Sequence, residues 1–307
     1  MSVIVTVTLN PSVDRNATVD NVISDAKLRC RDVESAPGGG GINVAKAVVR
    51  LGGEALALWS CGGGADATLG AMLETEDVPH RPIPVSDPTR ENLTVLDASS
   101  GEQYRFTMPG PHLSADDVAH WLTAVERMGP DIDYLVLSGS VPPGVDDDIY
   151  ARFVEVVPDT CRVLLDTSGK PLRAALRKGC HLIKPNLREL SQVLERELSD
   201  DHDIVAGCRE LIGKEMVAIA VVTLGAAGAM VVQGDSYIHL RSPTVAIKSR
   251  VGAGDSTMAG IALGLDRGWD VAEAIKLGIA AGAAAVMTPG NELCRPEDVE
   301  RLLASID

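Results

Sequence analysis

Val251-Gly252-Ala253-Gly254-Asp255 follows an apolar-polar run and opens a helical pattern, Ser256 to Leu265. Glycines at such a junction let backbone N–H groups converge at a helix N-terminus, which makes an anion site. A carboxylate there competes with the anion. It makes chemical sense if Asp255 takes the proton of a hydroxyl attacking a phosphoryl group that the amides of Gly252, Ala253 and Gly254 hold. The bland alternative is an aspartate that caps the helix. Short glycine motifs recur by chance, so this segment alone leaves both readings open.

Three further segments carry chemistry. Pro37 to Gly41, then Ile42 and Asn43, place four glycines before a helix, so that a ligand can lie directly on backbone. Asn43 holds the place of the third glycine of a dinucleotide fingerprint, which weakens that reading; its amide suits sugar hydroxyls, or the segment is a tight turn. Lys184-Pro185-Asn186-Leu187-Arg188-Glu189 follows an apolar run and opens a helix. Asn186 and Glu189 lie three apart, on one helix face, and with intervening water they suit Mg²⁺. The same pair can form a capping box, and the two roles can coexist. Thr223-Leu224-Gly225-Ala226-Ala227-Gly228 joins two apolar runs and could hold nucleotide phosphates or be a plain turn.

Short apolar runs at 3–9, 55–61, 134–138, 162–166, 181–183, 217–223 and 229–232 must position these groups. They alternate with amphipathic stretches at 42–51, 114–128, 147–157, 187–197 and 204–214, which implies βαβ units and a mostly parallel sheet. Two segments break the rhythm. Residues 27–31 alternate, with Leu28 and Cys30 on one face of an expected strand and Lys27, Arg29 and Arg31 on the other. Residues 91–108 read as a hairpin around Ala98 to Gly101, with Tyr104, Phe106 and Met108 on one face. A small β lid over a ligand cleft is expected, or an edge extension that only makes an oligomer contact.

Of 307 residues, 45% are hydrophobic, 23% charged and only 3% aromatic, which suits a buried sheet under closely packed helices. The net charge of −15, from 28 basic and 43 acidic residues, argues against nucleic acid or an anionic membrane as partner. It leaves room for small anions where positive charge gathers locally. The six cysteines form no CxxC pair and, with no signal peptide at the N-terminus, imply reduced thiols in the cytoplasm. The 17 uncharged residues from Met216 to Val232 read as two buried strands joined by a glycine turn rather than a membrane span.

The order of PSVD at 11–14, the glycine run, NLRE, TLG and GAGD resembles the ribokinase-like (PfkB-type) carbohydrate kinases over essentially the whole chain. KLRC at 27–30, PGGGGINVA at 37–45, TREN at 89–92, EQYRFTMPG at 102–110 and SGSVPPGV at 138–145 are most similar to the minor, type II 6-phosphofructokinases of that family. The resemblance implies one α/β domain over 1–307, a Rossmann-like sheet flanked by helices. It adds a β lid from about 12–36 and 86–110, which often mediates homodimers. It implies ATP-dependent phosphorylation of fructose 6-phosphate, with fructose 1-phosphate or tagatose 6-phosphate as alternatives and an idle sugar or nucleotide sensor as a third reading.

Residue by residue, the resemblance makes Asp255 the proton acceptor and the amides of Gly252 to Gly254 the anion hole. Asp14, Gly39, Gly40, Asn43 and Ser138 fall beside the sugar, and Lys27, Arg90 and Arg105 where its phosphate is gripped. Lys184, Asn186, Thr223, Gly225, Gly228 and Ala283 fall on the ATP side, with Mg²⁺ at Glu189 and Asn186. A K⁺ site falls at Ser249, Val251, Ala285, Thr288 and Gly290. Ser249 and Arg250 depart from the residues common before GAGD. A large cation at 250, and the carboxylate of Glu292, are expected to alter that K⁺ site.

Overall fold

The alternating pattern folds into two sheets in a computed structural model that describes residues 3–64, 66–290 and 292–306. In chain order the strands are β1 (Ile4–Thr8), β2 (Ser12–Val19), β3 (Arg31–Gly38), β4 (Ala55–Cys61), β5 (His80–Pro84), β6 (Arg90–Asp97), β7 (Gln103–Phe106), β8 (Tyr134–Ser138), β9 (Arg162–Asp166), β10 (Cys180–Ile183), β11 (Val217–Thr223), β12 (Ala229–Gln233) and β13 (Ser236–Leu240). The helices are α1 (Gly40–Arg50), α2 (Ala71–Thr75), α3 (Ala115–Met128), α4 (Ile149–Val156), α5 (Gly169–Leu176), α6 (Leu187–Leu194), α7 (Asp201–Gly213), α8 (Ala253–Asp266), α9 (Val271–Val286) and α10 (Pro296–Leu303).

The main sheet runs β13-β12-β11-β10-β9-β8-β1-β4-β5, parallel from β5 to β11 and antiparallel at its last two pairings. Both faces are covered, which is why its strands read as continuous apolar runs. In β1, Ile4 packs on the side of α1, α8 and α9, while Val5 and Val7 pack on the side of α3, α4 and α7. β11 repeats the split, with Ile219 and Val221 on the first side and Ala220 and Val222 on the second. After β1 the chain adds β4 and β5 on one flank, then returns to add β8 to β13 on the other. This reversal beside β1 is a topological switch point, where ligands of open α/β sheets bind.

Helices α8 and α9 touch through glycines. A Cβ on Gly260 would lie 2.7 Å from the Gly278 Cα. Gly260→Ala is therefore expected to cost about 1–3 kcal/mol by forcing backbone apart. A lower urea midpoint at unchanged slope would show it; an unchanged midpoint would mean that the helices separate freely.

The second sheet runs β3-β2-β6-β7, with β2 and β6 parallel and both outer pairings antiparallel. The hairpin β6-β7 lies where its alternation puts it. The other expected strand starts later, since residues 27–30 lie outside any strand and β3 begins at Arg31. Its partner explains the shift: Ser12 pairs with Gly38 and Thr18 with Arg31, so β2 is nearly used up where residue 30 would pair. Met216 to Val232 forms β11, a 3₁₀ turn and β12, and among the described residues no helix is long and apolar enough to cross a membrane.

Candidate active site

The carboxyl ends of four strands meet beside the switch point. Ser138, Asp166 and Thr223 end β8, β9 and β11, and Lys184 follows β10. With Gly139, Asn186, Glu189, Gly254 and Asp255 they line a cleft of about 310 Å³. The chain reaches α8 through Gly252, whose φ of 74° lies in the left-handed region that favours glycine. No side chain caps α8 at Gly252, so its opening amides keep no intrahelical acceptor. Asp255 is therefore no helix cap. Its Oδ2 instead accepts a hydrogen bond from Asn43 Nδ2 at 2.8 Å.

Asn43 reaches that far because α1 starts against the strand ends. Gly39 opens it at φ 124°, and a Cβ on Gly40 would lie 2.4 Å from Ser138 Oγ. Any larger residue would push α1, and Asn43 with it, away from β8.

Lys184 is buried and pairs with Asp166 at 2.9 Å. Burial disfavours its charge, but Asp166, with Asp255 and Glu189 further off, overcomes that and holds the ammonium protonated. Asp255 sits in the opposite balance. Burial and then the charge of Asp166 push its carboxyl up to about 6, against the pull of Asn43 and Lys184. Lys184 thus lies on the wall of this cleft. The structure also adds Asp166, which sequence reasoning missed; its one signal is an acid closing the apolar run Arg162 to Asp166.

Asn186 and Glu189 form the full capping box, with Glu189 N donating to Asn186 Oδ1 and Asn186 N to Glu189 Oε2, both at 2.9 Å. Capping engages one carboxylate oxygen and leaves the other. Asp166, Glu189 and Asp255 share the cleft with the Asn186 amide, and one or two such carboxylates with intervening water fit Mg²⁺.

The second sheet supplies a polar corner. Asp14 Oδ1 accepts from Ser12 Oγ at 2.7 Å and Asn92 Nδ2 at 2.9 Å. Half-buried Arg90 donates to the carbonyls of Asn10 and Met108 at 3.1 and 3.2 Å, and its buried Nε has no partner among the described residues. Lys27 and Arg105 are exposed and line neither this cleft nor the cavity described next. Arg105 Nη2 donates to Gln103 at 3.1 Å, yet its pairing with Thr94 puts it on the sheet face that carries Asn92 and Asp14.

A second cavity of about 610 Å³ opens beyond Asn186 and Gly254. Thr223, Gly225, Gly228 and Ala283, the residues expected on the ATP side, all line it, and Thr223 N donates to the Pro185 carbonyl at 2.9 Å. Its other wall is the irregular segment 242–247, which has no periodicity that would mark it in the sequence.

Behind α8, Ser249 Oγ donates to the Gly290 carbonyl at 2.8 Å and accepts from Val251 N at 3.2 Å. Thr288 Oγ1 lies 2.7 Å from the Ala285 carbonyl and 2.5 Å from that of Glu292. Ser249 turns inward, and Arg250 lines the 610 Å³ cavity. The Glu292 carboxylate pairs with Arg295 at 2.7 Å, so Glu292 offers the loop its carbonyl only.

Residues 4–298 match the pfkB family of carbohydrate kinases. An ATP-dependent 6-phosphofructokinase isozyme 2 of Mycobacterium tuberculosis is 39% identical over 97% of this chain and 88% of its own. The protein of the same name from Escherichia coli is 37% identical over 98% of both chains. The crystal structure of Escherichia coli phosphofructokinase-2 with potassium superposes with a TM-score of 0.94, at 37% identity and 99% coverage of both chains. That enzyme's complex with fructose 6-phosphate gives 0.92 at 36% identity, again over 99% of both chains. The chain belongs to the pfkB family of carbohydrate kinases and has the ribokinase-like fold.

Proposed function

We propose that this kinase transfers the γ-phosphoryl group of ATP to the free primary hydroxyl of fructose 6-phosphate, giving fructose 1,6-bisphosphate and ADP. The observation that carries the reading is Asp255: a carboxyl raised to about 6, held by Asn43 at an uncapped helix start. The sugar oxygen attacks phosphorus as its proton passes to Asp255, and the bond from the γ-phosphorus to the bridging oxygen breaks. The opening amides of α8 face the charge that develops, and Lys184 adds a fixed cation at the cleft wall. Asp14, Gly39, Gly40, Asn43 and Ser138 would hold the sugar, and Arg90 its phosphate. Thr223, Gly225, Gly228 and Ala283 would hold the nucleotide in the larger cavity.

Glu189, Asp166 and Asn186 would hold Mg²⁺, which supplies charge neutralisation for the phosphates. The carbonyls of Ala285, Gly290 and Glu292, with Ser249, Val251 and Thr288, offer the neutral oxygens that K⁺ takes. The second sheet is read as a lid whose closure excludes water and brings Lys27 and Arg105 toward the sugar phosphate. Its exposed Val33 and Phe106, 58% and 50% accessible, and Met108 just after β7 at 46%, support a homodimer through this sheet.

Glu189→Gln is expected to raise the Mg²⁺ concentration for half-maximal rate with a smaller effect on sugar affinity. An unchanged Mg²⁺ profile would leave Glu189 with capping alone. The substrate itself is tested by kcat/KM with ATP against fructose 6-phosphate, fructose 1-phosphate, tagatose 6-phosphate and fructose. Fructose 6-phosphate should rank first; a higher value for either other phosphosugar would replace it as the substrate.

A further inference from the structure

The nucleotide reading leaves a charge problem. The chain carries a net −15, yet a triphosphate tail has to run from the 610 Å³ cavity toward Asp255 in the neighbouring cleft. Lys184 does not line that cavity; it is buried in the neighbouring cleft and already paired with Asp166. Among the described residues lining the cavity, Arg250 alone carries a charge. It is exposed, and no hydrogen bond or ion pair engages it among the described residues.

Its place in the chain aims that charge. Ser249 before it is fixed inward on the Gly290 carbonyl, and two residues later Gly252 begins the turn into α8. The cavity that Arg250 lines also includes Gly225, Ala253 and Gly254, the glycine turn and the opening amides of α8. The same lining includes the apolar side chains of Val245, Ile279 and Val286, which offer a nucleobase contact area but no charge. An unpaired guanidinium beside backbone donors suits phosphate oxygens, which it can take in pairs.

We propose that Arg250 grips the phosphate tail of the nucleotide and makes affinity at this site depend on that tail rather than on the base. The proposal rests on the ATP reading above. Calorimetric titration of the native protein, Arg250→Gln and Arg250→Lys with Mg·ATP and with adenosine tests it. Arg250→Gln should weaken Mg·ATP about tenfold, the low end for a charge-assisted contact at an exposed rim. Adenosine should stay within about twofold, and Arg250→Lys should fall between native and Gln because it keeps the charge without the fork.

Unchanged Mg·ATP affinity in Arg250→Gln would make Arg250 a solvated rim charge and overturn the proposal, while native ATP binding left the kinase reading standing. Equal weakening of adenosine and Mg·ATP would overturn it too, since that marks a distorted cavity rather than a lost phosphate contact. A native protein that binds no ATP would remove both readings together.

Discussion

Asp255→Asn is expected to lower kcat by about 10²–10⁴ while the affinity for ATP stays near native. The asparagine keeps the shape and the contact with Asn43 but cannot take the proton. Because Asp255 caps nothing, the loss cannot be assigned to a frayed helix. The same carboxyl sets a pH dependence. Its value near 6 lies above the ordinary 3.8, so kcat/KM of the free enzyme should rise as pH passes through about 6, and a bound Mg²⁺ would draw that midpoint down.

Stability should move the other way. A carboxyl raised by the fold favours the protonated state, so its contribution is present below about pH 4 and lost as pH rises through 6. Asp255→Asn should therefore melt above native at pH 7.5, with the gap closing toward pH 4. Near-native turnover in this variant would end the catalytic assignment.

Arg90→Ala is expected to raise KM for fructose 6-phosphate about 10- to 150-fold, the effect of about 1.5–3 kcal/mol in charge-assisted bonds, with a much smaller change for ATP. Two carbonyls hold the guanidinium half-buried, so it is no freely solvated surface charge. Its unpartnered Nε and remaining N–H groups are donors in need of an anion. Those carbonyl bonds also tie β6 to the chain at Asn10 and Met108, so a purely structural role has to be separated. Comparing kcat/KM for fructose and fructose 6-phosphate does so. A phosphate grip makes the variant discriminate less between the two sugars; a clamp alone lowers both equally and leaves the ratio unchanged.

Much of this arrangement is readable before any coordinates. Buried parallel strands must be apolar on both faces, so β1, β4, β8, β9 and β11 stand out as runs, and glycine-rich starts mark α1 and α8. Asn43 and Asp255 lie 212 residues apart in the chain, and only their motifs suggest that they meet. What sequence hides is decided by neighbours. β3 starts at Arg31 because β2 is nearly used up there, whatever the alternation of 27–30 suggests. The edge strand β5, with prolines at 82 and 84, carries no run at all, and an edge tolerates the missing donors. Asp166 belongs to no motif; its importance comes from standing beside Lys184 and Asp255. Arg250 lines the larger cavity while Ser249 turns inward, a choice that the spacing of residues cannot express.

The most direct test of the account is a ³¹P NMR time course of the native protein with Mg·ATP and fructose 6-phosphate, run beside Asp255→Asn. The account predicts that a second sugar phosphomonoester grows in step with ADP, identified as fructose 1,6-bisphosphate, and that the variant stays near baseline. ADP accumulating with inorganic phosphate, or a variant that keeps pace with the native protein, would contradict it.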